Sequence, residues 1–229
     1  MQPEHRAFLQ KHLIPISRDS NVWDFCCGSG MNGIVALKNN ARWVTFTDVR
    51  QQTMLDWVAQ KAPGEVDKTR YRWEYFDADQ IDKYLPQVPT QDLDIIIYCG
   101  HFYHARNHYE IAKMFTKTQA RHLILESKTI RPNAEDSRMT IDWHIESTKE
   151  NLNTFEESKT HSIVGSPNFK WTKTCFELLG WWEEDSEIIE YTAPEAEQFT
   201  FSFLENRHGL AERKEHTMYR YRIKFIRNV

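Results

Sequence analysis

The stretch Asp24-Phe25-Cys26-Cys27-Gly28-Ser29-Gly30-Met31-Asn32-Gly33 combines an acid with three glycines in a segment otherwise free of charge. Glycines let a backbone approach a ligand closely, and a helix starting there offers unpaired N–H groups. About 20 residues further on stands Asp48, a carboxylate able to accept both hydrogen bonds of a ribose diol, so the two features together point to a nucleoside-containing cofactor. Gly28-x-Gly30-x-x-Gly33 also satisfies the dinucleotide fingerprint, and the loop alone leaves a nicotinamide cofactor and S-adenosylmethionine both open. Two acids separate them. A pyrophosphate would repel a carboxylate at Asp24, inside the strand before the loop, whereas a cationic cofactor would tolerate it. Asp77, in Phe76-Asp77-Ala78-Asp79, is placed to accept a hydrogen bond from an adenine amino group.

These residues need a frame that gathers them at one edge. Short runs rich in β-branched and aromatic residues at 22–25, 43–47, 71–75, 93–98 and 122–126 read as strands. Helical patterns at 31–38, 51–62, 79–84 and 109–115 lie between them. That alternation predicts a mostly parallel sheet with helices on both faces. Residues 127–164 are polar, of mixed charge and without sustained period, so 127–165 reads as a lid or substrate insert within a single domain spanning 1–229. Gly165-Ser166-Pro167-Asn168 then opens a helix through Leu179, stopped by Gly180. Strand candidates follow at 187–191, 199–204 and 218–226; the last alternates Tyr219, Tyr221, Ile223 and Phe225 with Arg220, Arg222 and Lys224. The expected fold is an α/β, Rossmann-like, seven-stranded and mostly parallel sheet with an antiparallel C-terminal hairpin.

From the first strand to about residue 130 the sequence resembles the class I S-adenosylmethionine-dependent methyltransferases. Their first motif is matched by Asp24-Phe25-Cys26-Cys27-Gly28-Ser29-Gly30, with Cys26 standing where the first glycine usually is. The resemblance implies a ribose-binding role for Asp48 and an adenine-binding role for Asp77. The implied cofactor set is Asp24, Cys26, Cys27, Gly28, Ser29, Gly30, Asp48, Val49, Asp77, Ala78 and Cys99, with S-adenosylmethionine as cofactor and no metal. A shorter likeness runs through Tyr103-His104-Ala105-Arg106-Asn107, Leu123-Ile124-Leu125-Glu126-Ser127 and Ser166-Pro167-Asn168. That order is similar to the tRNA wobble-uridine carboxymethyltransferase family, which implies a carboxylated cofactor and a tRNA partner as one alternative.

Methyl transfer from a sulfonium is an in-line displacement, so a general base is needed only where the nucleophile must lose a proton. In an open parallel sheet the substrate lies beyond the carboxyl ends of the strands, which brings residues 99–104 and 126–128 within reach. His101, His104 and Glu126 are the candidate catalytic groups, and each also has an ordinary reading as a loop hydrogen-bonder or strand-end cap. Tyr103 beside them, with Arg131, Trp143 and His144 in the insert, are the candidate substrate-binding residues, closing over an acceptor.

Composition narrows the partners. The chain has 229 residues, a net charge of −4 and four cysteines. There is no global cationic field to draw it onto nucleic acid, and Cys26-Cys27, Cys99 and Cys175 have no zinc spacing and suit a reducing, cytoplasmic compartment. Its longest charge-free run, residues 25–37, is too short for a membrane span. Residues 206–229 carry seven Lys and Arg against two Glu, which is read either as a phosphate-contacting face or as the solvated outer face of an edge strand. A small or medium-sized polar acceptor is favoured over tRNA. A nicotinamide oxidoreductase and a non-catalytic cofactor-binding protein stay open as alternatives.

Overall fold

In the computed structural model, residues 3–61, 64, 66–89, 92–129, 139, 141–147, 161–192 and 217–228 are described. Nine strands are present among them: β1 (Asn21–Phe25), β2 (Trp43–Asp48), β3 (Tyr71–Tyr75), β4 (Ile95–Cys99), β5 (His122–Thr129), β6 (Ile141–Ser147), β7 (His161–Pro167), β8 (Trp182–Thr192) and β9 (Thr217–Ile226). The helices are α1 (Pro3–His12), α2 (Ile14–Ser17), α3 (Met31–Lys38), α4 (Gln51–Lys61), α5 (Ile81–Tyr84), α6 (His108–Phe115) and α7 (Phe169–Leu178).

Seven strands form one sheet in the order β3-β2-β1-β4-β5-β9-β8. β1 to β5 are parallel, and β9 runs antiparallel to both β5 and β8. The expected sheet and its antiparallel C-terminal hairpin are therefore present. Because parallel strands are covered on both faces, their residues are apolar on both. Trp23, Phe25, Tyr98, Leu125 and Tyr221 face α6 and α7, while Val22, Val44, Ile97 and Ile124 face α1, α3 and α4. No helix among the described residues is long and apolar enough to cross a membrane.

Three sequence expectations are corrected, and two helices not anticipated are present. The segment 127–164 does hold regular structure: β5 runs on to Thr129, and β6 and β7 form a separate antiparallel hairpin. The polar stretches around it concealed it, although Ile141, Trp143 and Ile145 alternate with Asp142, His144 and Glu146 at the period of a strand. Gly165, Ser166 and Pro167 end β7 instead of opening a helix; α7 begins after Asn168, whose side chain accepts from Trp171 N at 2.8 Å. The N-terminal helices α1 and α2 were unforeseen, and α1 buries Phe8 and Leu9 in the core. The C-terminal basic stripe lies on β9, which is flanked on both sides and is not an edge. The strand expected at 199–204 lies outside the described residues.

Candidate active site

The chain passes up β1, returns through α3 to β2, and later re-enters on the other side of β1 as β4. Connections diverge between β1 and β4, and ligands of open α/β sheets bind at the carboxyl ends beside such a switch point. The glycine loop leaves β1 there, Asp48 ends β2, Asp77 follows β3, and residues 99–104 follow β4. Sequence reading and structure agree that these groups share one edge.

Each acid has a defined local task. Asp48 is buried; its Oδ2 accepts from Gly28 N at 2.8 Å and its Oδ1 accepts from Arg50 N at 2.9 Å and Arg50 Nε at 3.1 Å. The ribose candidate is thus braced by the glycine loop itself. Asp77 caps the 3-10 turn 78–80, accepting from Asp79 N at 2.9 Å and from Gln80 Nε2 at 2.8 Å. Cys26 adopts φ +52° and Gly28 φ +54°. A left-handed residue at position 26 explains why glycine is usual there, and cysteine accepts the strain of that conformation. A Cβ on Gly28 would meet only Arg50 Nη2, at 3.7 Å, so the loop leaves an open cradle beside Asp48. Such a cradle, beside a buried carboxylate, suits a nucleoside.

Asp24 does something other than the sequence argument supposed. Gly30, with no side chain, sits at the N-cap of α3, and Asp24 Oδ2 reaches across from β1 to accept from Gly33 N at 2.8 Å. Burial pushes the Asp24 carboxyl up to about 8, against the lowering effect of the Gly33 hydrogen bond and with a further push from Asp48. Near neutral pH the acid is largely protonated, so its charge cannot be what separates a sulfonium from a pyrophosphate. The folded chain holds a proton that the unfolded chain releases near 3.8. Stability should therefore fall as pH rises from about 4 to about 8. Asp24→Asn keeps an acceptor for Gly33 N, so it should flatten that fall and exceed the parent in melting temperature at pH 8. Parallel slopes for the two proteins across that pH range would refute this account.

After β4, His101 Nδ1 lies 2.9 Å from the Tyr98 hydroxyl, and the His104 ring sits 4.0 Å from that of Tyr103. Burial holds the Tyr98 phenol well above its ordinary pKa, so it stays neutral. The short turn 102–104 is tied to β7: Gly165 N donates to Ala105 O at 3.0 Å, and buried His108 Nε2 lies 3.0 Å from Phe102 O and 2.8 Å from Gly165 O. Desolvation lowers the His108 pKa to about 4, which fixes it as a neutral donor. Tyr103 lies beneath the Lys128 ammonium, 4.7 Å from its ring centroid. Cys99 is a partly buried thiol raised well above its usual pKa by desolvation and by Glu126. Backbone pairing sets Trp143 opposite Gly165 and His144 opposite Val164; their side chains and Arg131 lie outside the described structure.

Glu126, a catalytic candidate, is instead the hub of an ion network. Its Oε1 lies 2.8 Å from Arg220 Nη1 and its Oε2 lies 2.7 Å from Arg222 Nε and 2.8 Å from His5 Nδ1. Burial opposes ionisation, yet His5, Arg220 and Arg222 outweigh it and lower the carboxyl to about 2. Arg222, 1% exposed, also pairs with Glu187 at 2.6 Å, and Lys224 pairs with Glu184 at 2.5 Å. On β9, therefore, Arg220, Arg222 and Lys224 are paired with carboxylates of the chain itself, which corrects both sequence readings there; Arg207, Arg213 and Lys214 lie outside the described residues. Sequence reasoning missed Arg50, His5, Asn32 and these pairings. The register Glu126↔Arg222 is the signal that joins residues so far apart, and it exists only after β9 has paired with β5.

No protein-family model matches the sequence, and no curated protein matches it. Solved structures do match. An S-adenosylmethionine-dependent methyltransferase from Mesorhizobium loti superposes with a TM-score of 0.60 at 16% identity, over 98% of this chain and 96% of that one. Haemonchus contortus phosphoethanolamine N-methyltransferase 2, in complex with phosphomonomethylethanolamine and S-adenosylhomocysteine, gives 0.59 at 11% identity, over 99% of this chain and 53% of that one. The [4+2]-cyclase SpnF gives 0.61 at 13%, over 100% and 83%. The chain has the fold of the class I S-adenosylmethionine-dependent methyltransferases.

Proposed function

We propose that the protein is an S-adenosylmethionine-dependent methyltransferase acting on a small or medium-sized polar acceptor. The observation that carries this reading is the arrangement of the glycine cradle, Asp48 and Asp77 at the carboxyl edge of a sheet with antiparallel β9 inserted between β5 and β8. A dinucleotide sheet in the all-parallel 3-2-1-4-5-6 order has no such strand. The fold also carries a cyclase among its neighbours, so chemistry is argued from the site.

Asp48 and the loop 26–30 would hold the ribose and the amino-acid portion of the cofactor. Val49 and Ala78 would flank the adenine, Asp77 would accept from its amino group, and Cys99 would border the site from β4. Asp24 would act one step removed, by fixing Gly33. The cofactor, when bound, supplies an electrophilic methyl on a cationic sulfur. His101, held through Nδ1 by Tyr98, would exchange a proton at Nε2 where the acceptor must lose one, with His104 and Tyr103 orienting the acceptor. Arg131, Trp143 and His144 would, as the sequence suggests, contribute to binding the acceptor. Glu126 is reassigned to structure, because a carboxylate held at about 2, with both oxygens against cations, is too weak a base to take a proton near neutral pH. The internal pairing of Arg222 and Lys224 supports an enclosed acceptor over tRNA laid across an open basic face.

Asp48→Ala should weaken S-adenosylhomocysteine binding by about 1.5–3 kcal/mol, the worth of hydrogen bonds to a charged acceptor. Calorimetric titration with S-adenosylmethionine, S-adenosylhomocysteine and NAD is the test. Tight NAD binding with none of the sulfur nucleosides would overturn the reading, and undiminished binding by Asp48→Ala would overturn the residue assignment.

A further inference from the structure

The first turn of α1 makes a contact that its packing does not require. Phe8, Leu9 and the following Leu13 already anchor the helix in the core. His5, 8% exposed, instead spans two polar groups on different elements: Nε2 donates to Asn32 Oδ1 at 3.0 Å, and Nδ1 lies 2.8 Å from Glu126 Oε2. Asn32 lies in the first turn of α3, directly after the glycine loop and beside Gly33, whose amide Asp24 holds. Glu126 lies at the far side of the edge, paired with Cys99 across β4 and accepting from Gly100 N through its backbone carbonyl at 3.2 Å. One imidazole therefore links the helix that closes the cofactor loop to the strand ends that face the acceptor.

We infer that His5 is a positioning residue for cofactor binding, acting through Asn32 to hold the first turn of α3, and with it the glycine loop, at the height the cofactor needs. The inference rests on the methyltransferase reading. Its physical basis is that Gly30 gives α3 no capping side chain, so the turn is held from outside, by Asp24 from β1 and by His5 from α1. Glu126 has Arg220 and Arg222 as well, and keeps its place without His5. Among the described residues Asn32 has no comparable pair of cations, so the loss of His5 falls on the loop side.

The two ring nitrogens can be mimicked separately: a glutamine amide nitrogen stands near Nε2, and an asparagine amide nitrogen near Nδ1. His5→Gln should keep the link to Asn32, and His5→Asn the link to Glu126. For S-adenosylhomocysteine measured calorimetrically, His5→Ala and His5→Asn should bind about 10-fold more weakly, while His5→Gln stays within about 3-fold of the parent, with one lost link setting the scale. Asn32→Ala should match His5→Ala, and the double variant should be no weaker than either. A purely structural role would instead lower the melting temperature and affinity of Gln, Asn and Ala variants together. That outcome, or unchanged affinity in His5→Ala, overturns the positioning role and leaves the methyltransferase reading intact. Absence of S-adenosylhomocysteine and S-adenosylmethionine binding by the parent overturns both.

Discussion

Glu126→Ala should destabilise the fold by about 3–5 kcal/mol, the usual cost of leaving a buried cation without its partner. Arg222 is almost wholly buried and holds Glu126 through Nε; with the carboxylate gone it keeps only Glu187, which is itself partly exposed. Arg220 loses its Oε1 contact at the same time. Glu126→Gln preserves the shape and should cost less than Ala, though its amide NH2 must face a guanidinium. The pH dependence separates charge from shape. The folded-state pKa of about 2 lies below the ordinary 4.5, so this stabilisation is fully present above about pH 4.5 and is lost as pH falls towards 2. The parent should lose part of its stability through that window, and Glu126→Gln should lack that part. Urea denaturation at pH 7 and pH 3 measures both effects. A Glu126→Ala midpoint equal to the parent's at pH 7 would show that the network is not a stabilising hub.

Gly33→Ala should cost about 2–3 kcal/mol, at the upper end of ordinary overpacking. A Cβ at position 33 would lie 2.3 Å from Phe46 Cε1, 2.8 Å from Phe46 Cζ and 3.0 Å from Asp24 Oδ2. Phe46 is 1% exposed in the middle of β2 and meets Tyr71 edge to face at 5.7 Å, so its ring has little room to yield. Helix α3 must lift from the sheet instead, stretching the Gly33–Asp24 hydrogen bond and moving the glycine loop. Both stability and cofactor affinity should fall. Trimming the obstacle in Gly33→Ala/Phe46→Leu should return part of the loss that Gly33→Ala causes alone, which denaturation midpoints of the two single variants and the double variant will show. Full additivity would mean that the ring and the helix do not compete for this space.

Local pattern determined the parallel part of the sheet. Strands β1 and β2 were legible because buried strands read as short apolar runs, β3 because aromatic residues alternate with charged ones along a half-exposed edge strand, and α3 because Met31 to Lys38 follows a glycine turn directly. The placement of the three acids was legible for the same reason: Asp24, Asp48 and Asp77 each stand at a fixed offset from a strand, and strand order brings them to one edge. The hairpin of β6 and β7 was missed. A signal for β6 was present, since Ile141, Trp143 and Ile145 alternate with Asp142, His144 and Glu146, but the run is short, lies within a long polar stretch, and gains its partner only when β7 pairs with it.

What the sequence by itself determined is which residues stand at strand ends and which turns can approach a ligand, since both depend on neighbours within a few positions. Tertiary structure alone decided the charge states and the pairings. Asp24 looked like a free carboxylate and is a buried, largely protonated cap for Gly33. Glu126 looked like a catalytic group or a strand-end cap and is held as an anion between Arg220, Arg222 and His5. The stripe of β9 looked like an outer face, yet Arg222 and Lys224 are buried and paired, Arg222 with buried Glu126 and half-exposed Glu187, Lys224 with Glu184 at the surface. Asp24 depends on burial, and Glu126 and the stripe depend on partners tens to more than a hundred residues away; neither desolvation nor a long-range counter-charge leaves a mark in local sequence.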